Sequence, residues 1–162
     1  MKEFDIAITA HDSKKKELLI LIEKYFDGLK EFSLVATEDT GTIIRQATGL
    51  SVYQVRNGYS GGYLDMGKLV ANGQVPIVFF LQDPLMIGMD DLGIRLLLTA
   101  CSVNNIPFAS NLITADFILH RHLETTAITR QRYIEQYNSM NLHIPRTNRR
   151  RYTISSELTI TG

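Results

Sequence analysis

VPIVFFL, residues 75–81, runs straight into QDPL at 82–85, and this junction decides the fold. The run is of strand length, almost wholly apolar, and closed by polar and turn-forming residues. Short continuous apolar runs of this kind read as strands buried on both faces. Three further runs share the pattern: FDIAIT (4–9), FSLVAT (32–37) and IPFASN (106–111). A fifth, LSVYQV (50–55), alternates and is weaker.

Between these runs lie helical patterns. Ser13 to Tyr25 places Leu18, Leu19, Leu21, Ile22 and Tyr25 on one broad face, with Lys and Glu opposite. Residues 41–48 predict a short helix closed by Gly49. Residues 64–72 predict a helix after a glycine-rich loop, and 91–103 a leucine-rich one capped by Asp90 or Asp91. Residues 114–121 predict a helix with Thr114 as N-cap, and 128–137 one more. The regular alternation of strand and helix argues an α/β domain with a mostly parallel sheet and right-handed crossovers. Ligands of such sheets bind outside the carboxyl ends of the strands. The loops to inspect are therefore TAHDSKK (9–15), ATEDTGT (36–42), NGYSGG (57–62), LQDPL (81–85) and SNLITAD (110–116).

The totals narrow the function classes. The chain has 162 residues, enough for one domain with a real core, and its 17 basic and 17 acidic side chains cancel. No global field favours nucleic acid or a membrane surface. No segment approaches the roughly 18 apolar residues that span a bilayer, and MKEFDIAITAHD lacks a signal-peptide core. The single cysteine, Cys101, excludes an intrachain disulfide and suits a reducing compartment, so a cytoplasmic protein is expected. Residues 1–140 read as the domain. Residues 141–162 read as a basic then polar tail, with RTNRRRY at 146–152. The tail reads first as a solvated end, then as a strand pairing on another subunit.

Each loop offers chemistry and a blander alternative. His11, Asp12 and Lys15 lie where the first strand meets the next helix, where an anion is welcome, or where Asp12 simply caps the helix. Thr37, Asp39, Thr40 and Gly41 offer hydroxyls and N–H groups to a phosphate, although Glu38 and Asp39 oppose it electrostatically. Asp83 follows the strongest strand as a base or as a loop cap. No metal-ligand spacing occurs, and His120 and His122 lack companions. There is no GxSxG, Walker lysine loop or GxGxxG.

Together TAHDSKK, TGTIIRQATGLSV, NGYSGG, IVFFLQDPL and NIPFASNLITADFI resemble methylglyoxal synthase, from about Ile6 to Ile118. The resemblance implies a three-layer α/β/α sandwich, flavodoxin-like, with a five-stranded parallel sheet. It implies a homohexamer, no cofactor or metal, and conversion of dihydroxyacetone phosphate to methylglyoxal and phosphate. That reaction needs a base, donors to an oxyanion and a phosphate cradle. His11, Asp12 and Lys15 match the family's first loop. Thr37, Thr40 and Gly41 match its second, where Asp39 replaces a threonine. Gly58 matches a Ser-Gly pair with Asn57 for the serine, and Asp83 matches the family's second important aspartate. The family's base, an aspartate after Gly-Gly, aligns with Tyr63. Its histidine aligns with Asp90, and a further aspartate with Gly93.

The expectation is therefore a binding protein for a phosphorylated small molecule or nucleotide without the family's catalysis. Tyr63 would stack on a base or sugar beside Tyr59, or pack at a subunit interface. The alternative is an active synthase with Asp83 or Asp65 as base and His11 beside it. A helix starting at 63 would turn Asp65 away by about 200°.

Overall fold

The computed structural model describes residues 2–86 and 92–124. Asp90, the helix expected at 128–137 and the tail 141–162 lie outside the described residues. Five strands form one sheet: β1 (Ile6–Ala10), β2 (Leu34–Thr37), β3 (Val52–Val55), β4 (Val78–Leu81) and β5 (Phe108–Ala109). Every pairing is parallel and the order is β3-β2-β1-β4-β5. Flavodoxin itself runs 2-1-3-4-5, so the likeness lies in the layers rather than in the strand order. The order reverses between β1 and β4, which makes the carboxyl ends of these two strands the natural ligand crevice.

The helices are α1 (Lys15–Lys24), α2 (Phe26–Leu29), α3 (Glu38–Thr48), α4 (Gly62–Ala71), α5 (Leu92–Val103) and α6 (Leu112–Glu124). Side chains alternate across a strand, so β1 feeds two cores. Ile6, Ile8 and Ala10 pack with Leu18, Leu21 and Ile22 of α1, Ile44 of α3 and Leu119 of α6. Ala7 packs on the other face with Tyr63, Met66 and Val70 of α4 and with Leu97 and Cys101 of α5. β4 divides likewise, Phe79 and Leu81 to the first core, Val78 and Phe80 to the second. The three layers follow from this parity. Each fully buried Leu, Ile or Phe contributes roughly 1.5–3 kcal/mol relative to exposure.

Three helices start earlier than the sequence reading, each for a local reason, while α1 starts at Lys15 rather than Ser13. α3 begins at Glu38 rather than Gly41, with Glu38 and Asp39 in its first turn, where carboxylates suit the helix N-terminus. α6 begins at Leu112 because the Asn111 side chain accepts the Thr114 N–H at 2.9 Å; Asn111, not Thr114, supplies the cap. α4 begins at Gly62, earlier than expected. Gly61 there has φ 103°, and a Cβ on Gly62 would lie 2.1 Å from the Arg56 carbonyl oxygen. Only a Gly-Gly pair turns this tightly into the helix.

Candidate functional site

The loops after β1, β2, β3 and β4 meet at one end of the sheet. β1 delivers His11, which is 5% exposed and lies edge-on to Phe80 with centroids 5.0 Å apart. Its Nδ1 accepts the Asp83 N–H at 2.8 Å. That nitrogen must then be unprotonated, so the proton of the neutral ring sits on Nε2. The Asp83 carboxylate ties the β4 loop to the β1 loop. Oδ2 accepts from Ser13 Oγ at 2.6 Å and Oδ1 from the Leu85 N–H at 2.9 Å. The Ser13 hydrogen bond, with the Leu85 N–H behind it, holds this carboxyl below its usual range. His11, Asp12, Ser13, Tyr59, Asp83 and Met86 line a cleft of about 200 Å³. A larger, more open depression of about 340 Å³, walled by Lys2, Phe32 and Tyr53 among others, lies at the amino ends of the strands. The crevice rule favours the other end.

Beside the cleft, β2 and α3 build a buried hydroxyl chain. Thr9 Oγ1 and Thr37 Oγ1 are 2.9 Å apart, and Thr37 donates to Thr40 Oγ1 at 3.1 Å. The Ala10 N–H also donates to Thr40 Oγ1, at 3.4 Å. Parallel pairing of β1 with β2 brings Thr9 and Thr37 together. Lys15, in the first turn of α1, closes this region. Its ammonium pairs with Asp12 and, at 2.8 Å, with Asp39 Oδ2. Burial alone would lower the Lys15 ammonium; the hydrogen bonds to Asp12 and Asp39 outweigh it and hold it above its usual value. Burial likewise would raise the Asp39 carboxyl, and the Lys15 hydrogen bond and charge bring it below its usual value. Asp39 Oδ1 is buried and accepts no hydrogen bond among the described residues.

Other expected residues are spent on structure. Gly41 sits where a Cβ would come 2.8 Å from Gln54 Cγ, so its bareness serves helix–strand packing. Asn57 uses its side-chain carbonyl to accept the Tyr59 N–H at 3.2 Å, leaving the amide nitrogen as its donor end. Tyr63 is 3% exposed and stacks on Phe80, with centroids 5.0 Å apart and planes at 28°. Tyr59 meets it edge-on at 5.9 Å. The phenol lies over Gly58, where a Cβ would come 2.6 Å from Tyr63 Cζ. Stacking on a ligand base would require this ring to leave the core. Asp65 turns away as the helical offset implied: Arg56 Nε and one terminal nitrogen each reach a carboxylate oxygen at 2.7 Å. The Arg56 bond holds the Asp65 carboxyl low.

The structure thus brings together His11, Asp12, Asp83 and Tyr59 in the cleft, and Lys15, Asp39, Thr37 and Thr40 beside it. Asp65 and Gly41 stand apart from both. Ser13, Thr9 and Phe80 were missed. Thr9 and Ser13 lie inside the quoted first loop, and their hydroxyls were a usable signal. Phe80 gave none, because its role depends on which face of β4 meets α4. Among the described residues, no group of three His, Cys, Asp or Glu side chains could hold a metal ion. No helix among them is long and apolar enough to cross a membrane.

No family model matches the chain. Curated relatives do. Methylglyoxal synthase of Natranaerobius thermophilus is 42% identical over 114 residues, covering 70% of this chain and 95% of the relative. Methylglyoxal synthase of Thermus thermophilus is 40% identical over 114 residues, covering 70% and 90%. Among solved structures, the methylglyoxal synthase of Elizabethkingia anophelis superposes with a TM-score of 0.66 at 36% identity, covering 72% of this chain and 77% of the other. With the parallel sheet and the loops at its carboxyl edge, identity at this level over nearly the whole of the relatives means that the chain belongs to the methylglyoxal synthase family.

Proposed function

We propose that the chain is a member of this family that holds a phosphorylated small molecule at the strand ends without the family's proton abstraction. The observation that carries the reading is Tyr63. Where the resemblance expects a catalytic aspartate, the chain has a phenol buried against Phe80. A tyrosine has an ordinary pKa near 10 and makes a poor base at neutral pH. The substitute is no better placed, since Asp65 is gripped by Arg56 on both oxygens. What supports binding is the remaining cradle of Lys15, Thr37, Thr40 and the Asn57 amide beside Gly58.

The test is a turnover assay with dihydroxyacetone phosphate, following methylglyoxal and phosphate, together with a thermal-shift screen of phosphorylated compounds. The expected result is no product and stabilisation by a phosphate-bearing compound. Methylglyoxal formation overturns the reading. So does a screen in which no phosphorylated compound stabilises the protein.

A second reading keeps the activity. It is favoured by the relatives' shared name and by Asp83, which stands at the cleft against His11. It expects turnover that Asp83→Asn abolishes.

Under either reading the chain works in the cytoplasm as a homo-oligomer, a hexamer if it follows the resemblance. Leu85, Leu92 and Leu96 are 91%, 66% and 41% exposed, and an oligomer would give them a partner surface. Light scattering on the purified chain decides the oligomeric state, and a monomer overturns it.

A further inference from the structure

We propose that the Arg56–Asp65 pair is a positioning device for the glycine loop: it fixes the gap between the two halves of the phosphate cradle and so sets affinity without touching the anion. The inference rests on the phosphate reading above and concerns what holds that site in shape.

The two halves hang on helices that pack on opposite faces of the sheet. Thr37 and Thr40 belong to the start of α3, and Asn57 and Gly58 to the loop before α4. Ile44 of α3 joins one core, Met66 of α4 the other. The end of β3 stands between them and is tied to both. On one side the Gln54 amide donates to the Glu38 carbonyl and to Thr42 Oγ1, each at 2.8 Å, which joins β3 to α3. On the other side Arg56 closes the loop. Its guanidinium reaches from the residue before Asn57 to Asp65 in the first turn of α4, with two 2.7 Å hydrogen bonds. Such a fork fixes direction as well as distance. The same group lies against Gly61, where a Cβ would come 2.8 Å from Arg56 Cζ. The Gly61 carbonyl accepts the Asp65 N–H at 3.0 Å, so guanidinium, carboxylate and loop form one closed unit. The loop needs such a strap, because Gly61 and Gly62 leave its backbone freer than any other pair would. The Arg56 side chain is 56% exposed, so the pair adds little to global stability. Its effect is local, on the shape of one loop.

Positioning and charge predict different signs. The field of Asp65 opposes a bound anion and that of Arg56 favours it. If the pair acted through its field alone, or if Arg56 gripped phosphate itself, removing Asp65 would tighten phosphate binding and removing Arg56 would loosen it. If the pair positions the loop, both removals loosen it. Isothermal titration of the full chain with inorganic phosphate, at one ionic strength, reads the sign. Asp65→Asn and Arg56→Gln should each weaken phosphate by about threefold, the scale of one exposed ion pair, and the double variant no further than either single. Arg56→Lys keeps the charge and loses the fork, so it should weaken phosphate as well, by less. Urea denaturation of the same variants reads the structural contribution separately. Shifts of opposite sign in the two single variants overturn the inference. So does a lowered urea midpoint with unchanged phosphate affinity, which is what a merely structural pair would give. Either result leaves the phosphate reading standing. Absence of phosphate binding by the unaltered chain overturns the inference together with the reading beneath it.

Discussion

Two loops share the carboxyl edge of the sheet and use it in opposite ways. The loop from Thr37 to Thr40 keeps its polar side chains and satisfies them internally, through the threonine chain and the Lys15–Asp39 pair. The loop from Asn57 to Tyr63 keeps its glycines and fills the space above them with an aromatic ring. The first remains a polar cluster with its groups paired to one another. The second ends in a ring that belongs to the hydrophobic core.

Removing the ring is the sharpest way to break that contrast. Tyr63→Ala should lower unfolding stability by about 3 kcal/mol or more, read from urea denaturation, because a buried aromatic leaves a cavity beside Phe80. Tyr63→Asp should cost at least as much, because it puts a carboxylate where the structure is 3% exposed. A ligand-stacking tyrosine at the surface would show neither loss. Gly58→Ala should cost about 1–3 kcal/mol, from the clash with the same ring. In the double variant with Tyr63→Ala the two losses should fall well short of adding, since the clash partner is gone. On the polar side, Thr37→Val should cost about 1–3 kcal/mol by leaving the Thr9 and Thr40 hydroxyls without their middle partner. The smallest effect is acid sensitivity. Asp39 and Asp65 have carboxyls lowered from 3.8, so the stability they contribute is complete above that value and is lost as the pH falls through their folded values. Urea midpoints between neutral pH and the acid range should fall below about pH 4, and fall less in Asp65→Asn.

Much of the architecture was legible because it rests on local pattern. VPIVFFL and its fellows became strands, and the leucine face of α1 became core, whereas of the α5 leucines only Leu97 is fully buried. The start of α3 was not legible, because TEDTG reads equally as a loop and as a first helical turn until its backbone is placed. Asp39 was recognised as a departure that opposes an anion, but its partner was not, since Lys15 lies on a separate loop that only β1–β2 pairing brings near. For the glycine loop, the tyrosine after Gly61 and Gly62 was readable, and the burial of its ring was not.

By itself, then, the sequence determined the strand and helix alternation, the edge of the sheet where the polar loops gather, and the absence of an aspartate after Gly62. Those are properties of period and residue type along the chain. The tertiary structure alone decided that Lys15 is held by Asp39, that Asp83 is tied to Ser13 and His11, and that Tyr63 belongs to the core. Each of these joins residues from different loops or layers, and a contact of that kind exists only once β1 lies between β2 and β4 with α4 packed on its face.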